Sequence, residues 1–202
     1  MSAEAIAATG KFLGSLLYFP PNSEQAQPLF QWLQTHAWMP EWPYGGTERL
    51  QQIADSLAGN VASGESDDEA FQRLFVGPYA LPAPPWGSVY LDRESVLFGD
   101  STLELRDWMR LHGIELHKVQ AEPEDHIGLM LMMSAWLAEN SPELLEEFLA
   151  THLFTWVFRY LALLEQRAEH PVYQGIARLT KVTLQGWQQQ CELAVIEHEL
   201  YR

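Results

Sequence analysis

The sequence predicts an all-α fold, a single-domain bundle of about nine to twelve helices with a long, ordered, proline-rich loop, and three observations carry that reading. Apolar residues recur at helical spacing in segment after segment. One segment, Ile127 to Leu137, is apolar nearly all round, which suits the centre of a bundle. Pro78, Pro82, Pro84 and Pro85 exclude a helix interior and most sheet pairing from the stretch they occupy.

Taken in order, Met1 to Tyr18 carries Ile6, Phe12, Leu13, Leu16 and Leu17 on a helical stripe and stops at Pro20-Pro21. Asn22 or Ser23 caps a second helix through His36, with Leu29, Phe30 and Leu33 inward. Trp38 to Gly46, with Pro40 and Pro43, is a turn. Thr47 caps a helix whose Leu50, Ile53, Ala54 and Leu57 fall on one face. Gly59 to Asp68 is small, polar and acidic, a candidate mobile loop and hinge. Asp67 or Asp68 then caps a short helix that Gly77-Pro78 ends. Ser88 to Phe98 alternates weakly and could be extended, without forming a sheet. Ser101-Thr102-Leu103-Glu104 has the form of a capping box, opening a helix that Gly113 ends. Pro123 stands at N1 of the next helix, with Glu124 and Asp125 in its first turn. Ser141-Pro142, Phe154 and His170-Pro171 open the last three helices, the final one running through Trp187.

The charge balance narrows the partners. Twelve Lys and Arg against 27 Asp and Glu give a net charge of −15. Such a surface repels phosphate backbones and anionic lipid, which argues against nucleic acid and membrane insertion, and it attracts a basic peptide. Solubility alone is the plainer explanation of the acidity. Cys191 is the only cysteine, which leaves no internal disulfide and no thiolate metal cluster. Met1 to Phe19 has Glu4 where a secretion signal needs basic residues, and Gly10-Lys11 breaks its apolar run. Ile127 to Ala138 is too short to span a bilayer. These features point to a reducing cytoplasm.

Glu122, Glu124, Asp125 and His126 are four ionisable groups within five residues. They can form an anionic pocket for a guanidinium, because arginine pairs bidentately with carboxylates. They can also ligate a metal, although no second ligand group stands at diagnostic spacing. A helix start favoured by the dipole explains Glu124 and Asp125 without any ligand. Met130, Met132 and Met133 read as core filling, ahead of an adaptable peptide groove. His36, His112, His117, His152, His170 and His198 read as surface or core histidines. Gly99 to Thr102 could offer amides to an anion, but its capping box already accounts for it. There is no Gly-x-Ser-x-Gly elbow and no phosphate loop, so the enzyme signal is weak and no cofactor is expected. Trp86 and Tyr79 lie in a loop off any periodic face, where a wall for a partner weighs evenly against burial.

Leu74-Phe75-Val76-Gly77-Pro78, Pro85-Trp86-Gly87-Ser88-Val89-Tyr90 and Glu122-Pro123-Glu124-Asp125-His126 together resemble the TorD/DmsD family of redox-enzyme maturation chaperones. The run from Phe71 to Glu139 is especially similar to the DmsD branch, which serves dimethyl sulfoxide reductase. The resemblance implies an all-helical, non-enzymatic protein that binds a twin-arginine signal peptide of a molybdoenzyme catalytic subunit in the cytoplasm. It implies holding the precursor until its cofactor is loaded, then delivery to the twin-arginine translocase, with transient presence at the inner membrane. Pocket residues of the family match at Leu74, Phe75, Pro85, Trp86, Gly99, Pro123, Asp125 and His126. Tyr79 stands where relatives often carry tryptophan, so an aromatic wall is kept with a different polar tip. Glu122, Glu124 and Asp125 would receive the arginines, and Leu74, Phe75, Tyr79, Pro85 and Trp86 the apolar stretch that follows them. A monomer is expected, with a domain-swapped dimer as the alternative. The other readings are a chaperone of a related molybdoenzyme, such as trimethylamine N-oxide reductase, and a metal-dependent enzyme built on Glu122 to His126.

Overall fold

The computed structural model describes residues 3–59, 64–116, 121–191, 193 and 198–202. His117 and residues 60–63 of the candidate hinge lie outside the described residues. Ten α-helices and no strand occur among those described. The first five are α1 (Ala3–Tyr18), α2 (Gln27–Gln34), α3 (Gly46–Leu57), α4 (Asp67–Phe71) and α5 (Ser88–Leu91). Then follow α6 (Asp100–Leu111), α7 (Ile127–Asn140), α8 (Pro142–Phe148), α9 (Val157–Arg167) and α10 (Pro171–Gln190). The all-helical expectation holds. Among the described residues no helix is long and apolar enough to cross a membrane.

The centre is the pair α1 and α7, which share the most extensive helix contact in the molecule. Ten of the 14 residues of α7 are buried, so its all-round apolar sequence is consumed by neighbours on every side. The two helices approach through glycine. A Cβ on Gly128 would lie 2.6 Å from Tyr18 Cβ and 2.8 Å from the Gly14 carbonyl, so backbone meets backbone there. α10 packs on α3 and α9, and Trp187, Trp156 and Trp38 are fully enclosed in one continuous core.

Several helix starts differ from the sequence expectation. α3 begins at Gly46 rather than on a Thr47 cap, because left-handed Gly45 turns the chain into it. Ser66, not Asp67 or Asp68, caps α4 in a true capping box with Glu69. A π turn over Gln72–Val76 then carries that helix on to Gly77. Ser88 to Phe98 is not extended, since Ser88–Leu91 forms α5. The helix after Pro123 starts only at Ile127, with His126 as its cap, so Glu124 and Asp125 precede it instead of filling its first turn.

Candidate functional site

Two segments far apart in sequence meet here. Pro85 to Gly87 runs antiparallel to Asp125 to Ile127: the Gly87 amide donates to the Asp125 carbonyl at 3.1 Å, and the Ile127 amide to the Pro85 carbonyl at 2.8 Å. Pro85 contributes only an acceptor, so its missing N–H costs the pairing nothing. Half-buried Trp86 donates its indole N–H to Glu122 Oε2 at 2.9 Å, and its ring stands edge-on to His126 at 6.0 Å. His126 Nδ1 accepts the Gly128 amide at 3.1 Å, which caps α7 and assigns the neutral ring's proton to Nε2. Burial pushes the His126 imidazole down to about 3, so it is neutral at physiological pH.

Asp125 is only 4% exposed. Its Oδ2 accepts the Ser88 amide at 2.7 Å, at the start of α5. Among the described residues its Oδ1 has no aligned hydrogen-bond partner, and neither do the buried hydroxyls of Ser88 and Thr102. Burial raises the Asp125 carboxyl above the usual carboxylate range, while the Ser88 amide and the nearby hydroxyls of Ser88 and Thr102 pull it partly back. An enclosed carboxylate with a spare oxygen is an incomplete site for a hydrogen-bond-donating cation.

Asp125 lines a cavity of about 200 Å³ together with Asp92, Asp100, Glu104, His152 and Trp156. Asp92 accepts the Ser101 amide at 3.1 Å and the Ser101 hydroxyl at 2.9 Å, so it caps α6 from outside the helix. This replaces the capping box expected at Ser101 and Glu104, and it fills the helix start that might have offered amides to an anion. A side chain at Gly99 would press on the Asp92 carboxylate that caps α6, so glycine leaves that carboxylate its place. The 198–202 segment crosses the same region: Tyr201 N donates to Tyr90 O at 2.9 Å, and His198 lines the cavity.

The structure thus gathers Pro85, Trp86, Glu122, Asp125 and His126; Gly99 lies against Asp92, and Pro123 is buried. Leu74 and Phe75 lie elsewhere, in the core, where Phe75 stacks on Phe71 at 4.9 Å. Tyr79 is 87% exposed and forms no wall of the cavity. Glu124 faces Arg106, with Arg106 Nε 2.6 Å from its Oε2. The sequence reading missed Asp92, Asp100 and Glu104. Asp100 and Glu104 carried a usable signal, since residues four apart share a helix face. Among the described residues no group of three or more His, Cys, Asp or Glu is arranged to hold a metal.

The buried imidazoles predict an acid-sensitive fold. Burial lowers His126 to about 3 and His152 to about 4, against about 6.5 in an unfolded chain. Below pH 6.5 the unfolded state therefore binds protons that the native state refuses, and stability falls as pH drops. Each histidine should remove about 2 kcal/mol between pH 7.5 and 5. Urea unfolding midpoints at the two pH values check this, and equal midpoints would contradict it.

A profile of the family described as "Nitrate reductase delta subunit" matches residues 40–162. A relative from Salmonella typhimurium LT2, named "Tat proofreading chaperone DmsD", is 47% identical over 100% of this chain and 98% of its own. A "Probable Tat proofreading chaperone DmsD" from Haemophilus influenzae is 40% identical over 98% of each chain. "Chaperone protein YcdY" of Escherichia coli K12 is 27% identical over 85% of this chain and 87% of its own. The fold and these similarities define a redox-enzyme maturation chaperone. More particularly, the chain belongs to the TorD/DmsD family.

Proposed function

We propose that residues 1–202 act as one cytoplasmic, non-enzymatic chaperone domain that binds the twin-arginine signal peptide of a dimethyl sulfoxide reductase catalytic subunit. The protein holds that precursor during cofactor loading and then releases it to the twin-arginine translocase, acting as a monomer. The observation that carries this reading is the cavity in which Asp125, enclosed and with a spare oxygen, stands among three further carboxylates. A guanidinium supplies donors in a planar fork, which suits several carboxylate oxygens at once better than a point-like ammonium does. The net charge of −15 steers a basic peptide toward the site, and salt weakens that steering. Pro85 and the backbone pairing hold Trp86 in place before the peptide arrives, which lowers the ordering cost of binding.

Calorimetric titration with the Arg-Arg signal peptide and a Lys-Lys version tests the reading. The expected result is saturable binding that weakens about tenfold with lysines. Equal affinity for both peptides would remove the carboxylate role. Absence of binding to either would remove the signal-peptide role altogether. Trp86→Ala removes the indole that pairs with Glu122 and stands edge-on to His126, beside Asp125. It should weaken the Arg-Arg peptide about tenfold while the helical circular dichroism is unchanged.

A further inference from the structure

The turn between α5 and α6 exposes apolar side chains beside the carboxylate cavity. Val96 is 50% exposed, Leu97 43% and Phe98 47%, and Leu103 on the first turn of α6 is 48% exposed. Two residues of this turn, Ser95 and Phe98, hold left-handed backbone at φ 49° and 58°, a conformation that is costly for side chains other than glycine. The Arg106 guanidinium lies 5.0 Å from the centre of the Phe98 ring and is itself bound to Glu124. The turn is thus braced in a form that keeps its apolar groups in water. Four exposed apolar side chains in and next to one turn of so acidic a surface call for a partner.

The neighbours of the patch say which partner. Asp100, Ser101 and Glu104, on the same first turn of α6 as Leu103, line the cavity with Asp92 and Asp125. A ligand that covers both parts brings cations to the carboxylates and apolar side chains to the ledge. Asp100 and Glu104 flank Leu103 on α6, so a few residues of extended chain reach from one part to the other. Resting on the chaperone reading above, we propose that the ledge of Val96, Leu97, Phe98 and Leu103 receives the apolar stretch of the signal peptide, while its arginines occupy the cavity. This moves the apolar subsite away from Leu74 and Phe75, which the core encloses.

The test compares wild type with Leu97→Ser/Leu103→Ser, two exposed positions, by titration with two synthetic peptides. One holds the arginine pair and the apolar stretch; the other ends directly after the arginines. The double variant should bind the long peptide about tenfold more weakly and the short one unchanged. That ratio should persist at high salt, where the arginine contribution fades. Wild-type affinity of the variant for the long peptide overturns the ledge and leaves the chaperone reading standing. Failure of the wild-type protein to bind either peptide overturns both. Unchanged peptide binding with an altered monomer–dimer equilibrium assigns the patch to a second copy of the chain and also overturns the proposal. A photo-crosslinking residue at Val96 keeps the test independent of the variant's folding. It should capture the apolar part of the bound peptide, and capture of no peptide counts against the ledge.

Discussion

Asp125→Asn should weaken the Arg-Arg peptide about thirtyfold and at the same time make the protein more stable. The two effects share one cause. Burial disfavours the charged form of the Asp125 carboxyl and raises it above its ordinary value. An acid whose folded value lies above its unfolded one costs stability once pH exceeds the unfolded value of about 3.9. Asparagine removes the charge and keeps an oxygen to accept the Ser88 amide. Its new N–H₂ falls near the Ser88 and Thr102 hydroxyls, which have lone pairs to offer. Stability should rise by about 1 kcal/mol, or about 3 °C in Tm for a chain of this size. Binding should suffer because a charge-assisted pair with a guanidinium becomes a neutral one in an enclosed site. Thermal melts and titration on the same sample read both quantities. A destabilised protein with unchanged affinity would show that Asp125 is purely structural.

Gly128→Val should cost at least about 3 kcal/mol and sharply reduce soluble yield. The added Cβ would meet Tyr18 Cβ at 2.6 Å and the Gly14 carbonyl at 2.8 Å, and neither can swing aside as the end of a flexible side chain could. Relief requires α1 and α7 to separate, which opens the centre of the core along its whole length. Gly128 is also the residue whose amide His126 accepts, so parting the helices disturbs the site as well. Urea unfolding of Gly128→Val beside Gly128→Ala gives the graded comparison. A valine variant with the wild-type midpoint would mean that the two helices are not locked by this contact.

Much of the molecule was legible in sequence because its signals are local. The 3.6-residue periodicity of α1, α3, α6 and α10 and the all-round apolarity of α7 announce a helical bundle. Pro142 and Pro171 mark two helix starts, since proline at the first turn loses no hydrogen bond. Of the site, the segments holding Trp86 and Asp125 were identifiable from residue type and from family resemblance.

What the tertiary structure alone decided were the partners of each group. Sequence assigned the start of α6 to a capping box within the helix, but the acceptor is Asp92, brought in by the turn after α5. It assigned Glu122, Glu124 and Asp125 to one pocket. The fold sends Glu122 to Trp86, Glu124 to Arg106 and only Asp125 into the cavity. It grouped Leu74 and Phe75 with Trp86, whereas the π turn that carries them faces the core. Composition and periodicity thus determined an acidic, all-helical protein with an aromatic, carboxylate-rich centre. Which carboxylate keeps a spare oxygen, and which apolar groups stay in water, depends on contacts between residues 18 to 37 apart, which no local pattern encodes.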